Sequence, residues 1–342
     1  MRDIKGLSLK ELSESLTRWG ERPFHARQIF DWIYKKGIMD FSLMSDLSSG
    51  LRARLKNDFY VVGLDLAKKV KSKDGTEKFL LQLKDGDLIE SVIIPAAKRV
   101  TGCVSTQAGC KFACAFCASG VSGFKRDLSH LEIIDEALYL KNGSSGNKLT
   151  HLVFMGVGEP LDNYDNVLKA IRQINLPETM NIGARRITIS TCGIIPGIKR
   201  LAGEGMQIEL SVSLHASDDE TRSRLMPVNK KYPLRELIKA CGDYAGKTNR
   251  QVTFEYILIE GVNSGLRDAR NLIKILKGLN CKVNLIPCNP VKESGIMPPS
   301  QTSTWLFRGA LMNGGLNVTL RGKRGDDIEA ACGQLRLRYG KK

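Results

Sequence analysis

The chain has 342 residues, room for one large domain or two modest ones, and carries 52 lysines and arginines against 36 acids, a formal net charge of +16. Such an excess of positive charge fits a polyanionic partner, nucleic acid first, because phosphate contacts dominate that kind of affinity. No stretch approaches a membrane span, Met1 to Gly6 offers no apolar signal region, and nine cysteines, an odd number, speak for a reducing cytoplasm rather than a disulfide framework.

Residues 1–57 read as helical. Ser8-Leu9-Lys10-Glu11 is a capping-box pattern and Gly20 a helix stop. Phe24, Ile29, Phe30 and Ile33 recur at helical spacing before Gly37, and 48–59 reads as a third helix. Basic residues such as Arg18, Arg22, Arg27, Arg52 and Arg54 stud this unit; they form either a solvated face or a grip on RNA phosphates.

From Val61 to Pro95 the period changes. Asp74-Gly75 and Asp85-Gly86 are hairpin pairs between runs of Val, Leu, Phe and Ile, which predicts a three-stranded meander ending in 88–95. Glu90 interrupts the last run. Strand alternation favours an outward-facing residue there, with a placed carboxylate as the other reading.

Beyond Val100, short β-rich runs alternate with helical ones, the pattern of βα units around a parallel sheet. The strand candidates are 99–104, 150–155, 185–190, 207–213, 251–258, 281–286 and 317–321. Between them, Ser129-His130-Leu131-Glu132 is a second capping box, Pro196 and Pro233 suit first helical turns, and Ser300 suits the cap of a last helix. The stretch 293–301 reads as a long loop.

The first strand leads into Cys110, Cys114 and Cys117, a C-x₃-C-x₂-C run with Phe116 before its last member. Three thiolates at this spacing suit a [4Fe–4S] cluster with one iron open to another molecule. The alternative is a structural zinc site completed by Cys103, although zinc sites usually use two C-x₂₋₄-C pairs. The run resembles the signature of radical S-adenosylmethionine (SAM) enzymes, in which the open iron chelates SAM.

The other unusual residues also fall where strands end, the place where βα barrels gather their chemistry. They are Gly156-Val157-Gly158-Glu159-Pro160, Ser190-Thr191-Cys192-Gly193, Ser213-Leu214-His215, Pro287-Cys288-Asn289-Pro290, and the stretch from Gly325 to Cys332 and Leu335. The glycines let backbone approach a ligand, Glu159 is suited to the SAM amino group, and Ser190, Ser213 and Asn289 to its carboxylate and ribose hydroxyls. Cys332 stands apart, remote from the cluster loop and in a polar context. Cys192, Cys241, Cys281 and Cys288 read as small packing residues.

Taken together, Cys103, the cysteine loop, Gly-x-Gly-Glu-Pro-Leu, Ser-Leu-His-Ala, Asn289-Pro290 and the run ending Ala-Ala-Cys332-Gly-Gln-Leu resemble the dual-specificity adenine-C2 RNA methyltransferases (RlmN) of the radical-SAM superfamily, over essentially the whole chain. The resemblance implies methylation of carbon 2 of an adenosine at the peptidyl transferase centre of 23S rRNA and, in some members, of the adenosine 3′ to the anticodon of tRNAs. It implies one [4Fe–4S] cluster on Cys110, Cys114 and Cys117, two SAM per turnover, and SAM contacts from Gly158, Glu159, Ser190, Ser213, Leu214, His215 and Asn289. It gives Cys332 the role of methyl carrier, Glu90 that of proton acceptor at carbon 2, and Cys103 that of the thiol that releases product through a transient disulfide with Cys332. An electron donor such as flavodoxin or ferredoxin, a monomeric state and a cytoplasmic location away from membranes complete the expectation. Two departures stand out: Val157 where the family often has Met, and Cys192 where Ser is common. The sister activity at carbon 8 stays open, although Pro160 after the glutamate favours carbon 2. So does a zinc-stapled RNA-binding protein without catalysis.

The expected fold is an open, partial (βα)₆ radical-SAM barrel over 96–324, with an N-terminal helical accessory domain (1–57) for RNA, a small β extension (58–95) and a C-terminal tail (325–342) bearing Cys332. A lateral opening suits a folded RNA whose target base is splayed from its stack.

Overall fold

A computed structural model describes residues 1–61, 63–120, 123–143, 149–288, 296–322 and 325–328. The chain opens with a short strand, β1 (Arg2–Asp3), which pairs in parallel with β2 (Phe59–Tyr60). Between them lie three helices, α1 (Leu9–Arg18), α2 (Phe24–Phe30) and α3 (Ser49–Asp58). The capping box at the start of α1 forms as expected, with Glu11 N donating to Ser8 Oγ and Ser8 N to the Glu11 carboxylate. Gly20 ends the helix in the left-handed region, φ 81°. Of the apolar residues picked out by spacing, Ile29, Phe30 and Ile33 are buried, whereas Phe24 is exposed at the mouth of a surface groove.

This helical unit is pinned to the rest of the molecule by a buried cation. Lys5 is fully buried, with its ammonium 3.0 Å from Asp3 and 3.1 Å from Asp135 of the first core helix. Tyr34 and Gln173 complete the joint through a hydrogen bond of 2.6 Å. A buried charge is tolerated there because acids answer it on both sides.

The expected meander is present as β3 (Asp65–Lys71), β4 (Glu77–Gln82) and β5 (Leu88–Ala96), turning at Gly75 and Gly86 with φ of 85° and 86°. It is not a separate layer. β5 also pairs antiparallel with β6 (Arg99–Cys103), the first core strand, so the extension continues the core sheet. A small hairpin follows, β7 (Gln107–Gly109) with β8 (Phe124–Asp127), and then α4 (His130–Gly143).

From β6 onward the core alternates: β9 (His151–Phe154), α5 (Tyr164–Asn175), β10 (Ile187–Thr191), α6 (Ile195–Leu201), β11 (Glu209–Ser213), α7 (Asp219–Leu225), α8 (Leu234–Thr248), β12 (Val252–Leu258), α9 (Leu266–Leu276), β13 (Cys281–Pro287), α10 (Gln301–Asn313) and β14 (Asn317–Leu320). The ten-stranded sheet runs β14-β13-β12-β11-β10-β9-β6-β5-β4-β3, parallel from β6 to β14 and antiparallel from β6 to β3. Its two end strands, β14 and β3, do not pair, so the barrel is open, as expected. Among the described residues no helix is long and apolar enough to cross a membrane.

Alternation within the strands sorts the two faces. Leu152, Phe154, Ile189, Leu210, Val212 and Phe254 point outward into one continuous core with helix residues such as Ile133, Val167, Ile198, Leu237 and Leu272. The residues between them point to the concave side, and several are polar.

After β14 the chain crosses to the far edge of the sheet. Asp327 accepts from Ser72 Oγ at 2.5 Å and from Lys73 N at 3.2 Å, and Gly325 N donates to Asp74 at 3.1 Å. The turn between β3 and β4 thus anchors the segment that follows the last strand.

Candidate functional site

A cavity opens on the concave side, lined by Cys110, Cys114 and Cys117 together with Gly156, Gly158, Glu159, Ser190, Cys192, Ser213 and His215. These residues come from separate strand ends, and the parallel sheet brings those ends to one level. Leu214 behaves differently: its side chain is fully buried in the core. Asn289 and Cys332 lie outside the described residues.

The β7–β8 hairpin brackets the cysteine loop, an element that the short, polar run Phe-Lys-Arg-Asp did not announce. Gly109 needs its positive φ of 83°, since a Cβ there would stand 1.9 Å from Gly123 O. The loop is tied outward by Ala115 N, which donates to Leu225 O at the end of α7. Burial pushes the Cys110 thiol up to about 11 and raises Cys114 as well, and the neighbouring cysteines add to both shifts. Thiols so placed become thiolates when a strong positive charge joins them. Among the described residues, no three His, Cys, Asp or Glu side chains converge on a point that would hold one metal ion. Three sulfurs around a pocket instead suit a cluster, which takes one thiolate per iron. Among the described residues Cys103 packs with Val92 and Val157 and does not line the cavity with the three loop cysteines.

Phe116, the aromatic before the last cysteine, meets His215 edge-on, with ring centroids 4.6 Å apart. His215 has a φ of 58°, and its Nδ1 accepts from Ile257 N at 3.0 Å. Burial, with Arg222 adding, pushes the imidazole down to about 3, so the ring is neutral and carries its proton on Nε2.

The Gly-Val-Gly-Glu run borders the cavity and also joins loops. A Cβ on Gly156 would stand 2.6 Å from Val104 O, and one on Gly158 2.6 Å from Gln107 Cβ. Both glycines therefore let this loop close on the segment 104–107. Glu159 is buried, and its oxygens already accept backbone amides from Leu161 at 3.0 Å and Cys192 at 2.7 Å. Its own N–H donates to Gln107, whose amide nitrogen reaches Asp127 and Asp162 at 2.8 Å each. Burial raises the Glu159 pKa in spite of these bonds.

Glu90 is buried at 3 % exposure, which corrects the outward-facing reading. The reason is that both faces of β5 are covered, one by α4 and the other by the Val157 loop and Ile328. Val92 pairs with Cys103, and Glu90, two residues back, shares their concave face. Lys78 stands 3.4 Å from the Glu90 carboxylate. On the opposite face Ser91 donates to Glu136 of α4 at 2.5 Å, and Ser105 N donates to the same oxygen at 2.8 Å. Ser105 Oγ donates to Glu90 O and accepts from Val157 N, which ties β5 to the loop after β9. Ile328, at the end of the anchored segment, packs on the Val92–Cys103–Val157 cluster.

Two groups of residues escaped the sequence reading. Glu255 lines the cavity from β12 and accepts from Asn284 at 2.8 Å and Ser211 at 3.2 Å, while Thr319 donates to Asn284. Its signal was present, a carboxylate inside an apolar strand, as at Glu90. Arg222 of α7 is fully buried and donates to the carbonyls of Cys192, Ser213 and Leu214. The surrounding Asp-Asp-Glu-Thr-Arg-Ser-Arg reads as a solvated helix and gives no hint of it.

Comparison with known proteins agrees with this geometry. Residues 2–61 match the ribosomal RNA large subunit methyltransferase N-terminal domain, and residues 104–273 match the radical SAM superfamily. A probable dual-specificity RNA methyltransferase RlmN of Thermoanaerobacter sp. (strain X514) is 46% identical over 340 residues, 99% of both chains. Its namesake in Geobacillus kaustophilus (strain HTA426) is 45% identical, covering 99% of this chain and 93% of its own. The crystal structure of a radical SAM methyltransferase from Sphaerobacter thermophilus superposes with a TM-score of 0.94 at 43% identity, covering 98% of this chain and 99% of that one.

Proposed function

The chain belongs to the RlmN family of radical-SAM RNA methyltransferases, and from that membership we propose that it methylates carbon 2 of an adenosine in 23S rRNA and of the adenosine 3′ to the anticodon in tRNAs. The observation that carries the reading is the gathering of Cys110, Cys114 and Cys117 with Ser190, Ser213, His215 and the Glu159 loop around one cavity. Cys110, Cys114 and Cys117 would hold a [4Fe–4S] cluster, which with two SAM per turnover would supply a methyl group and the one-electron chemistry that an electron-poor sp² carbon requires.

The chain's own groups divide the remaining work. Cys332 is the thiol that carries the methyl. Glu90, held beside Lys78 on the concave face, takes the proton from carbon 2. Cys103, paired with Val92 on that face, attacks the Cys332 sulfur, so that a disulfide forms as methylated RNA leaves. Ser190, Ser213 and His215 border the SAM site, Asn289 contributes from its loop, and Glu159 with Gly158 keeps the loops in register. Neutral His215 is a hydrogen-bond donor there through Nε2–H.

Residues 1–57 form an RNA-binding accessory unit, supported by the net charge of +16 and by Arg54 and Arg2, which lie over the Trp19 and Phe59 rings beside a shallow groove. The electron comes from an external donor such as a flavodoxin or ferredoxin, and the enzyme works as a cytoplasmic monomer. Mass spectrometry of 23S rRNA and tRNA from a deletion strain, with and without the gene restored, tests the assignment. Loss of a carbon-2 methyl from both is expected. Loss of a carbon-8 methyl, or no loss from rRNA, overturns it.

A further inference from the structure

Arg222 is fully buried, and among the described residues no carboxylate stands within ion-pair distance of it. Its guanidinium donates to neutral acceptors only, the carbonyls of Cys192, Ser213 and Leu214 at 2.8, 3.1 and 3.2 Å and Asn229 Oδ1 at 2.9 Å. Lys5 is equally buried, yet it has two aspartates. An unpaired charge in a low-dielectric interior is destabilising unless an opposite charge answers it.

The surroundings indicate where that opposite charge belongs. Cys192 and Ser213, whose carbonyls hold the guanidinium, line the cavity beside the three cysteines. The helix that carries Arg222 ends at Leu225, and the cysteine loop is bonded to that residue through Ala115 N. Cys114 packs in the same apolar cluster as Leu225 and Met226. The ionisable groups that face Arg222 are neutral His215, exposed Asp219 and the cysteines themselves.

We infer that Arg222 balances the charge of an iron–sulfur cluster held by Cys110, Cys114 and Cys117, and so raises its reduction potential. The inference rests on the cluster assignment proposed above. A [4Fe–4S] core with three thiolates is anionic and gains one further negative charge when it takes up an electron. A fixed cation nearby therefore favours the reduced form, and net charge and hydrogen bonding are among the levers that set such potentials. Four acceptors hold the guanidinium in place, so it does not have to reorganise when the electron arrives. Arg222 is a positioning and charge-balancing residue, since its bonds go to the strand ends and not to the reacting atoms.

The test is a redox titration followed by electron paramagnetic resonance, on full-length protein reconstituted anaerobically with iron and sulfide and without SAM. Arg222→Met keeps its iron, and at a fixed ambient potential its reduced-to-oxidised ratio falls at least tenfold, about 59 mV for a one-electron couple. Arg222→Lys keeps the charge and stays near the wild type. Asp219→Asn removes a nearby exposed acid and moves the potential the other way. Equal potentials in wild type and Arg222→Met overturn the inference, and so does a lysine variant that falls as far as methionine. Should Arg222→Met fail to fold, Arg222→Gln is titrated in its place, with an unmoved potential overturning the idea. Iron content is read first: a wild type that takes up no four-iron cluster sinks the cluster assignment itself, an outcome distinct from an unmoved potential.

Discussion

Glu159 and Arg222 hold one residue between them: the Glu159 carboxylate accepts from Cys192 N at 2.7 Å, and the Arg222 guanidinium donates to Cys192 O at 2.8 Å. A buried acid and a buried base thus polarise the backbone at the end of β10 from both sides. Replacing Glu159 by Gln leaves one acceptor oxygen for two amides and turns an N–H toward another N–H. An orphaned buried donor costs about 1–3 kcal/mol. Glu159→Gln is expected to melt earlier and to bind SAM more weakly by calorimetry. Unchanged melting would show that the carboxylate is not needed as an acceptor.

Gly158 makes a second demand on the same loop. Its φ of 105° and the 2.6 Å approach to Gln107 leave no place for a methyl group. Gly158→Ala is expected to lose about 1–3 kcal/mol from backbone strain alone, with the loop displaced from segment 104–107. Chemical denaturation measures the first effect and SAM affinity the second. An alanine variant as stable as the wild type would mean that the loop relaxes without cost.

Changing Cys110, Cys114 or Cys117 to Ala should abolish iron–sulfur absorption after anaerobic reconstitution while far-ultraviolet circular dichroism stays native. A full four-iron complement in all three variants would falsify the ligand assignment.

Cys103→Ala separates chemistry from packing. If Cys332 carries the transferred carbon, RNA is bonded to that sulfur until a second thiolate displaces it. The variant should still load a cluster and still become methylated at Cys332, but accumulate an RNA–protein adduct on a denaturing gel. The double change with Cys332→Ala should show no adduct. Normal turnover of free methylated RNA from Cys103→Ala would end both assignments.

Glu136 offers a pH test away from the reacting atoms. Burial pushes its carboxyl up to about 8 from an ordinary 4.5, against the opposing bonds from Ser91 and Ser105. The native state therefore holds this proton more tightly than the unfolded chain does. The associated stability is complete below the unfolded value and is lost as pH rises through the folded one. In Glu136→Gln the oxygen still accepts from Ser91 and Ser105 and no carboxylate can ionise. Urea midpoints of wild type and variant should converge near pH 4.5 and separate above it in favour of glutamine. A difference that does not change with pH would contradict a raised pKa.

Much of this architecture was legible in local chemistry. Capping boxes at Ser8 and Ser129, Asp-Gly turns at 74–75 and 85–86 and the βα alternation depend on neighbours within a few residues, and each formed where its pattern stood. The cysteine loop was legible because three ligands share one short segment. What stayed hidden depends on distant partners. Glu90 looked exposed because alternation says nothing of which distant loops pack on a face, here the Val157 loop and Ile328. Arg222 looked solvated because its backbone acceptors lie at and just beyond the ends of β10 and β11. The two glycines line the cavity, but their close contact with Val104 and Gln107, about fifty residues earlier in the chain, could not be read from neighbours.

The bond between Asp327 and Ser72 spans 255 positions of sequence. Ribosomes add roughly 5–20 residues per second, so on the order of tens of seconds separate the emergence of its two ends. Throughout that interval β3 is the outer edge of the sheet of a half-made chain, with its backbone groups open to any passing strand. Lys68, Lys69 and Lys71 lie on that strand, and charged edges of this kind resist pairing with foreign chains. These lysines therefore guard the same edge twice, first in the nascent chain and then in the finished enzyme, where β3 is still the last strand of the sheet.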